Sequence, residues 1–185
     1  MKRVDITNVQ EAGEFKQMPA GPYVCIIRNV EDDEDKEYLR IHYDIAAGEY
    51  KGHFDELRAN HPDWSTVGSY VRSYKPNALP FFKRFCSAVS KSNGNFVFDG
   101  GSVNCDEKSL IGKRIGINFQ DEEYYSNSGD LRTRLIVYAE FPVDKLKDQK
   151  VPAVKMLKET KPKTATNTTG FMDVSKDSPE EVPFD

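Results

Sequence analysis

Long hydrophobic runs are absent from this sequence of 185 residues. No apolar stretch approaches the roughly 18 residues that a membrane-spanning helix needs. The opening segment MKRVDITNVQEAGEF lacks the apolar core of a signal peptide. We therefore expect neither a membrane span nor a secretory signal.

Cysteine is scarce: Cys25, Cys86 and Cys105 lie far apart and form no Cys-x-x-Cys pair. Neither a disulfide framework nor a zinc site is indicated by this pattern. Free thiols usually pack as small apolar groups inside a protein, and they are typical of a reducing compartment. The cysteines therefore predict a cytoplasmic location.

The residue constellations of an enzyme are also missing. The sequence has three histidines, at His42, His53 and His61. No two of them have the spacing of a helical metal site, and no phosphate-binding glycine-rich loop occurs. The acidic run at 121–123 could hold a metal ion, but its place at the end of a strand entering a hairpin is more typical of a solvated loop. We expect a protein that is not an enzyme and that carries no metal or cofactor.

Acidic residues are missing from residues 65–98, although the whole sequence holds 30 of them. That stretch contains five basic residues: Arg72, Lys75, Lys83, Arg84 and Lys91. Residues 170–185 show the reverse, with one lysine and five acidic residues. The net charge of −4 argues against a uniformly basic nucleic-acid binder. The basic middle is either a solvated face or the surface for an anionic partner.

The residues that are present predict a mainly β domain. The apolar patterns predict strands at 21–30, 37–47, 49–57, 112–125 and 130–141, a helix at 78–94 and a short helix at 151–159. Residues 59–75 are ambiguous, because Pro62 and Gly68 interrupt them. The order of three strands, a helix and two strands is that of the OB-fold, a five-stranded partly open barrel.

The helix predicted at 78–94 carries Phe81, Phe82, Phe85 and Val89 on one stripe by helical spacing. Aromatic residues in this arrangement are more typical of a core than of a binding surface. We therefore expect the stripe to pack against the sheet.

The composition of the chain changes near residue 157. Residues 158–185 are rich in Thr, Lys, Pro and acidic residues and poor in apolar ones. Such a segment buries too little surface to offset the entropy of ordering. The sequence therefore predicts an OB-fold domain over residues 1–157 and a disordered tail over residues 158–185.

Single-stranded nucleic acid is bound by cations along a groove and by flat side chains on which bases stack. The acid-free stretch and the residue before it supply both kinds: Trp64, Tyr70, Arg72, Tyr74 and Lys75. If this piece is a strand, Tyr70, Arg72 and Tyr74 share one face. That row favours a platform for bases and a phosphate. The alternative is that both tyrosines close the barrel and the arginine lies along its surface.

The last predicted hairpin is the second candidate surface. Tyr124 and Tyr125 precede its turn, and Arg132 and Arg134 follow it. In an OB-fold this hairpin joins strands four and five and is a usual binding element. The loop at 31–37, between strands one and two, is strongly acidic, so we expect it to face away from nucleic acid.

Four segments carry a family resemblance: PAGPYVCIIRNV, IHYDIAAGEYKGHF, LPFFKRFCSAVSKSN and SLIGKRIGINFQDEEY. With the hairpin that follows, they resemble the single-stranded DNA-binding proteins encoded by tailed phages and prophages of low-GC Gram-positive bacteria. The resemblance covers most of residues 5–160. It implies an OB-fold and sequence-independent binding of single-stranded DNA in phage replication or recombination, within an infected or lysogenic cell.

The segment EEVPFD resembles the acidic tip of bacterial single-stranded DNA-binding proteins, although here Asp185 follows the Pro-Phe pair. The resemblance implies that this tip recruits replication and recombination proteins. The residues concerned are Glu180, Glu181, Pro183, Phe184 and Asp185. Phe184 would be the buried anchor, and the acids would steer the tip toward a basic site and keep it off nucleic acid.

Two other functions compete with DNA binding at this point. The net negative charge also fits a protein-interaction module, an inhibitor or adaptor that holds a host protein on an OB-like barrel. A nuclease with a metal ion at 121–123 is the third possibility. The sequence leaves the formation of a homo-oligomer open.

Overall fold

The structure is a computed structural model that describes residue 3, residues 18–100 and residues 106–157. Within these residues one antiparallel sheet has five strands, β1 (Gly21–Asp33), β2 (Tyr38–Ile45), β3 (Ser69–Ser73), β4 (Arg114–Tyr125) and β5 (Leu131–Phe141). The described helices are α1 (His53–Asn60), α2 (Leu79–Ser92) and three short 3-10 helices at Pro76–Ala78, Glu107–Leu110 and Val143–Asp148. The strand order β3-β2-β1-β4-β5, with α2 between β3 and β4, confirms the predicted OB-like fold.

Alternation along β2 decides which face of the sheet becomes the core. Leu39, Ile41 and Tyr43 are buried, and the register with β1 sets Val30, also buried, opposite Ile41. The side chains between them, such as Arg40, point to the other face. The inner face of the sheet is therefore apolar and the outer face is polar.

The sheet curls until its two edge strands approach each other. Arg72 on β3 forms an ion pair with Glu140 on β5, whose side chain is fully buried. Arg84 of α2 makes a second contact with the same carboxylate at 3.5 Å. No ladder joins β3 to β5 in the described sheet. These charges, together with the packing of α2 against both strands, connect the two edges of the barrel.

One apolar stripe of α2 packs against the barrel. Phe82, Phe85 and Val89 are buried on it. Phe81, in contrast, is 55% exposed, so the prediction that it belongs to the core stripe is wrong. The buried stripe begins at Phe82. Phe81 precedes it and is rotated from it by about 100° around the helix axis, so its side chain points away from the barrel.

The predicted strand at 49–57 is also wrong, because a turn and α1 occupy this region. Gly52 has a φ of 83° at the start of the helix, a conformation that glycine adopts without steric cost. The buried carboxylate of Asp44 accepts a hydrogen bond from the backbone N–H of Phe54 at 2.9 Å, which fixes the first turn. The third strand is β3, within the stretch 59–75 that the sequence left ambiguous.

Residues 151–157 form no helix, so the last predicted helix is wrong over its described part. β4 runs beyond Phe119, where its pairing with β1 ends, and one of its edges is left without a neighbouring strand. Lys155 lies along that edge: its N–H donates to the carbonyl of Asp121 at 2.8 Å, and its carbonyl accepts from the N–H of Glu123 at 3.0 Å. Backbone groups at an open edge favour such an extended segment over a helix.

Several predictions fall outside the described residues. They are the boundary after residue 157, the tail at 158–185 with its tip residues, and any role of Cys105. Cys25 and Cys86 are buried, as expected. Across 18–100 and 106–157, the helices are too short or too polar to cross a membrane.

Candidate nucleic-acid interface

Tyr70 and Arg72 lie on the inner face of β3. The register sets Tyr70 opposite Ile41 and Arg72 opposite Leu39, both of them core residues. The Arg72 guanidinium lies 4.7 Å from the centroid of the Tyr70 ring, and burial raises the pKa of Tyr70 well above its usual value. The predicted ring and cation are therefore adjacent, but they close the barrel. Contact with nucleic acid at these two positions stays a prediction without geometric support.

Tyr74 and Lys75 follow β3 and lie next to the start of α2. Tyr74 donates a hydrogen bond to Asp32 at 2.8 Å and packs edge-on against Phe82, with the ring centroids 5.8 Å apart. Desolvation and this hydrogen bond raise the pKa of Tyr74 to about 12. Lys75 is exposed, whereas Tyr74 is partly buried. Of these two residues, Lys75 is therefore the one presented to solvent.

Trp64 lies in the loop between α1 and β3, at the opposite end of β3 from Lys75. Its side chain is 45% exposed. Its ring stacks on the ring of His61, with centroids 4.0 Å apart and planes 12° apart. An exposed indole held flat by a second ring is a suitable surface for a stacked base.

Contacts from α1 hold the Trp64 loop in place. Arg58 donates a hydrogen bond to the carbonyl of Val67 at 3.0 Å. Gly68, with a φ of 61°, lies so close to the helix that a Cβ there would be 2.7 Å from the Cβ of Phe54. The loop that presents Trp64 is thus attached to the folded domain at its C-terminal side.

The β4–β5 hairpin extends beyond the end of β1 as an arm, which we define as residues 120–136. Its strands remain paired as far as Tyr125 and Leu131. Successive side chains alternate between an outer face, which continues the outer surface of the sheet, and an inner face. The outer face carries Gln120, Glu122, Tyr124, Arg132, Arg134 and Ile136; the inner face carries Asp121, Glu123, Tyr125, Leu131, Thr133 and Leu135.

An aromatic ring and cations meet on the outer face of the arm. The Arg134 guanidinium lies 5.2 Å from the centroid of the Tyr124 ring. Glu122 forms ion pairs with Arg134 at 2.6 Å and with Lys155 at 2.5 Å. Hydrogen bonds from Lys155 and Arg134 hold the pKa of Glu122 below its usual value. One carboxylate is therefore shared between two cations that are each 58% exposed.

Arg132 adds a third cation to this face. Its side chain is 59% exposed, and its guanidinium lies 3.7 Å from the carboxylate of Asp130 in the turn. It lies directly opposite Tyr124 in the ladder. The outer face of the arm therefore offers one ring and an excess of positive charge to solvent.

The inner face of the arm has the opposite charge. Asp121 and Glu123 lie on it with Tyr125, and the side chain of Glu123 accepts the N–H of Leu157 at 3.3 Å. The sequence placed Tyr124 and Tyr125 in one candidate site, whereas the strand separates them onto two faces. The charges favour Tyr124 as the stacking residue, and a role for Tyr125 stays a prediction.

The outer face of β2 carries a further group that the sequence reading did not select. Arg40 lies 5.9 Å from the centroid of the Tyr38 ring, and His42 contacts Glu31 of β1 at 3.1 Å. The alternation in β2 was the available signal, since it sets Tyr38, Arg40 and His42 on the polar face. Glu31 also lies 3.9 Å from Arg40, so this group is less basic than the arm.

The side chains of the acidic run at 121–123 are not grouped in the structure. Its side chains alternate between the two faces of the arm, and Glu122 is bound to Arg134 and Lys155. Within the part of the chain that the structure describes, no three His, Cys, Asp or Glu residues are grouped as metal ligands. Glu122 is therefore engaged by two cations on the outer face, while Asp121 and Glu123 lie on the inner face.

Comparison with known proteins adds no family: no protein-family model matches the sequence, and no curated protein matches it.

Proposed function

We propose that this protein binds single-stranded DNA without sequence preference in phage DNA replication or recombination, and that its acidic tip recruits partner proteins. The observation that supports it most is the outer face of the arm, where Tyr124 lies beside Arg132 and Arg134. Such a face can stack a base and contact the adjacent phosphates. It belongs to the strand 4–5 hairpin that OB-folds commonly use.

The exposed ring of Trp64 supports the same function. The arm extends from the end of the sheet where Gly21 pairs with Phe119. The Trp64 loop leads into Ser69, near the end of β2, and Cys25 pairs with Ile45 at this same end. Both aromatic surfaces therefore lie at one end of the barrel, where a strand of several nucleotides can reach each of them.

Titration of labelled oligo-dT at two salt concentrations tests the proposal. We expect binding that weakens with salt, with a slope of about 0.7 for each phosphate contact. Trp64 is the only tryptophan in the chain, and we expect stacking to quench its fluorescence. Duplex DNA of the same length should bind more weakly, because its bases are not available to the rings.

Tyr124→Ala and Tyr125→Ala form a matched pair for locating the site. Tyr124→Ala should cost about 1–3 kcal/mol of binding free energy, the usual range for a lost stack, whereas Tyr125→Ala should cost much less. Both variants should be checked for folding by circular dichroism. An absence of oligo-dT binding by the full chain at low salt would refute the proposal and favour a protein-interaction module.

A further inference from the structure

The first turn of α2 exposes a group of apolar side chains outside the barrel core. Leu79 is 49% exposed and Phe81 is 55% exposed, and Pro80 between them is also exposed. Single exposed apolar residues are ordinary, whereas a contiguous group marks a surface where another chain binds. Leucine and proline offer no flat ring for a nucleobase, so the group favours a protein partner over nucleic acid.

Positive charges surround this apolar turn. Lys75 and Lys83 are exposed, and the Arg84 guanidinium lies 5.5 Å from the centroid of the Phe81 ring. Glu140 does not cancel this charge, because its single carboxylate is shared between Arg84 and a second arginine. We call this surface the α2 patch; it consists of Lys75, Leu79, Pro80, Phe81, Lys83 and Arg84.

The end of the arm carries the opposite charge beside apolar side chains of its own. Tyr125 and Leu131 form the last pair of the ladder on the inner face, and Leu131 is 58% exposed. Asp121 and Glu123 precede Tyr125 on the same face. Glu123 accepts a hydrogen bond from the backbone N–H of Leu157 at 3.3 Å, and this neutral donor leaves the negative charge in place. We call this surface the inner tip; it consists of Asp121, Glu123, Tyr125 and Leu131.

The inner tip and the α2 patch are too far apart to meet within one molecule. Arg84 of the patch contacts Glu140 on β5 at 3.5 Å, and Leu131 begins the same strand. At about 3.4 Å per residue, the length of β5 between Leu131 and Glu140 separates the two surfaces by roughly 30 Å. The arm cannot fold back onto α2, because β4 and β5 stay paired over this whole distance.

We propose that the inner tip of one molecule docks on the α2 patch of a second copy of this chain. The two surfaces are complementary in both respects: the apolar side chains of the tip cover those of the helix turn, and the carboxylates of the tip face its lysines. Electrostatic complementarity of this kind sets the specificity and the register of a contact.

The contact repeats from head to tail, because every copy carries both surfaces at opposite ends of β5. A heterologous contact of this kind forms an open chain of molecules unless its rotation closes a ring. A hairpin tip on one helical turn makes a small interface, below roughly 1,200 Å², so the contact is weak between free molecules. It becomes effective where copies are held close together at a high local concentration.

The contact itself does not require nucleic acid, but its consequence rests on the proposed function. Copies joined head to tail bind a long single strand cooperatively, while Tyr124 on the outer face of each arm remains accessible to it. An oligonucleotide that holds one molecule cannot show this cooperativity. Tyr125→Ala should therefore leave the affinity for such a short oligo-dT nearly unchanged and reduce the cooperativity on poly-dT.

Photocrosslinking between two forms of the full chain tests the contact. Leu131 is replaced by p-benzoylphenylalanine, and this variant is mixed at high concentration with an isotopically heavy chain that lacks the replacement. The crosslinked peptides are mapped by mass spectrometry. We expect crosslinks from the variant to residues 75–84 of the heavy chain in the absence of nucleic acid, and a higher yield on adding poly-dT.

Charge reversal supplies the matched control. Glu123→Lys in the crosslinking variant should lower the yield several-fold, and Lys83→Glu in the heavy chain should restore it. Lys147→Glu in the heavy chain, at an exposed lysine elsewhere, should not restore it. Circular dichroism checks that each variant is folded.

Four results would overturn the inference: crosslinks only within one molecule, crosslinks mainly between two arms, no crosslink between copies at any concentration, or equal rescue by the two lysine variants. Loss of the crosslink on adding poly-dT would also overturn it, since the patch would then belong to the nucleic-acid path. A protein that crosslinks as expected without binding oligo-dT would refute the proposed function and leave the contact standing, so the two proposals fail separately.

Discussion

Two arginines on neighbouring edges of the sheet have opposite surroundings. Arg72 is 17% exposed and bound to the buried carboxylate of Glu140, whereas Arg132 is 59% exposed beside a turn. A buried charge that loses its partner is costly, while an exposed ion pair contributes little to stability. Arg72 therefore contributes mainly to the stability of the fold, whereas Arg132 is a surface residue.

Arg72→Ala and Arg132→Ala should separate stability from binding. Arg72→Ala leaves Glu140 with only the contact to Arg84 at 3.5 Å, so it should lower the free energy of unfolding by about 3 kcal/mol. Arg132→Ala should leave that free energy nearly unchanged, but weaken oligo-dT binding and lower the salt slope by about 0.7. Urea unfolding and oligo-dT titration check both variants. A stable Arg72→Ala protein with weakened binding would restore Arg72 to the site.

At the scale of elements, the arm is a two-stranded ribbon whose faces differ in charge. Glu122 is the one carboxylate among the outer-face strand residues, and it occupies two of the cations there, Arg134 and Lys155. Because these cations hold the pKa of Glu122 below its usual value, this carboxylate stays ionised at neutral pH. Its contribution to stability is present above the ordinary glutamate pKa and is lost only as the pH falls through the lowered one.

Glu122→Gln should therefore increase the affinity for single-stranded DNA. The substitution releases Arg134 and Lys155 to contact phosphates, and the salt slope should steepen by up to about 0.7 for each cation that gains a phosphate. Glu123→Gln removes the same charge from the inner face and is the matched control. It should change affinity much less. Equal gains for the two variants would show that overall charge, and not the outer face, controls binding.

At the scale of the whole molecule, charge is separated along the chain: residues 65–98 have no acid, and residues 170–185 have five acids. Among residues 18–100 and 106–157, the buried residues run from Met18 to Phe141. Folding and partner recruitment should therefore depend on different parts of the chain.

Deletion of residues 176–185 should leave the thermal unfolding midpoint unchanged. The affinity for oligo-dT should stay the same or rise slightly, because acids that compete with phosphate are removed. Capture of host replication and recombination proteins in a pull-down should fall sharply, and Phe184→Ala alone should reproduce that loss with DNA binding intact. If the deletion abolished oligo-dT binding, the segment would be part of the nucleic-acid surface and not a recruitment tip.

The sequence by itself determined the OB-like fold class, the bounds of α2 and the final hairpin, although it placed the third strand at 49–57, where the structure has a turn and α1. The periods of apolar residues and the turn signals in these regions are local properties, and the structure agrees with them to within about two residues at most ends. The sequence could not show that 49–57 is not the third strand. The first turn of α1 in this region depends on a hydrogen bond from the N–H of Phe54 to Asp44, a residue of another element.

Only the tertiary structure decided which face of each strand meets solvent. Alternation along a strand shows that Tyr70 shares a face with Arg72, and that Tyr124 and Tyr125 lie on different faces. It does not show which of the two faces is buried and which meets solvent. Pairing with Leu39 and Ile41 turned Tyr70 and Arg72 into the barrel. The sequence therefore supplied the candidate residues of the proposed site, and the strand register decided which of those on strands face solvent.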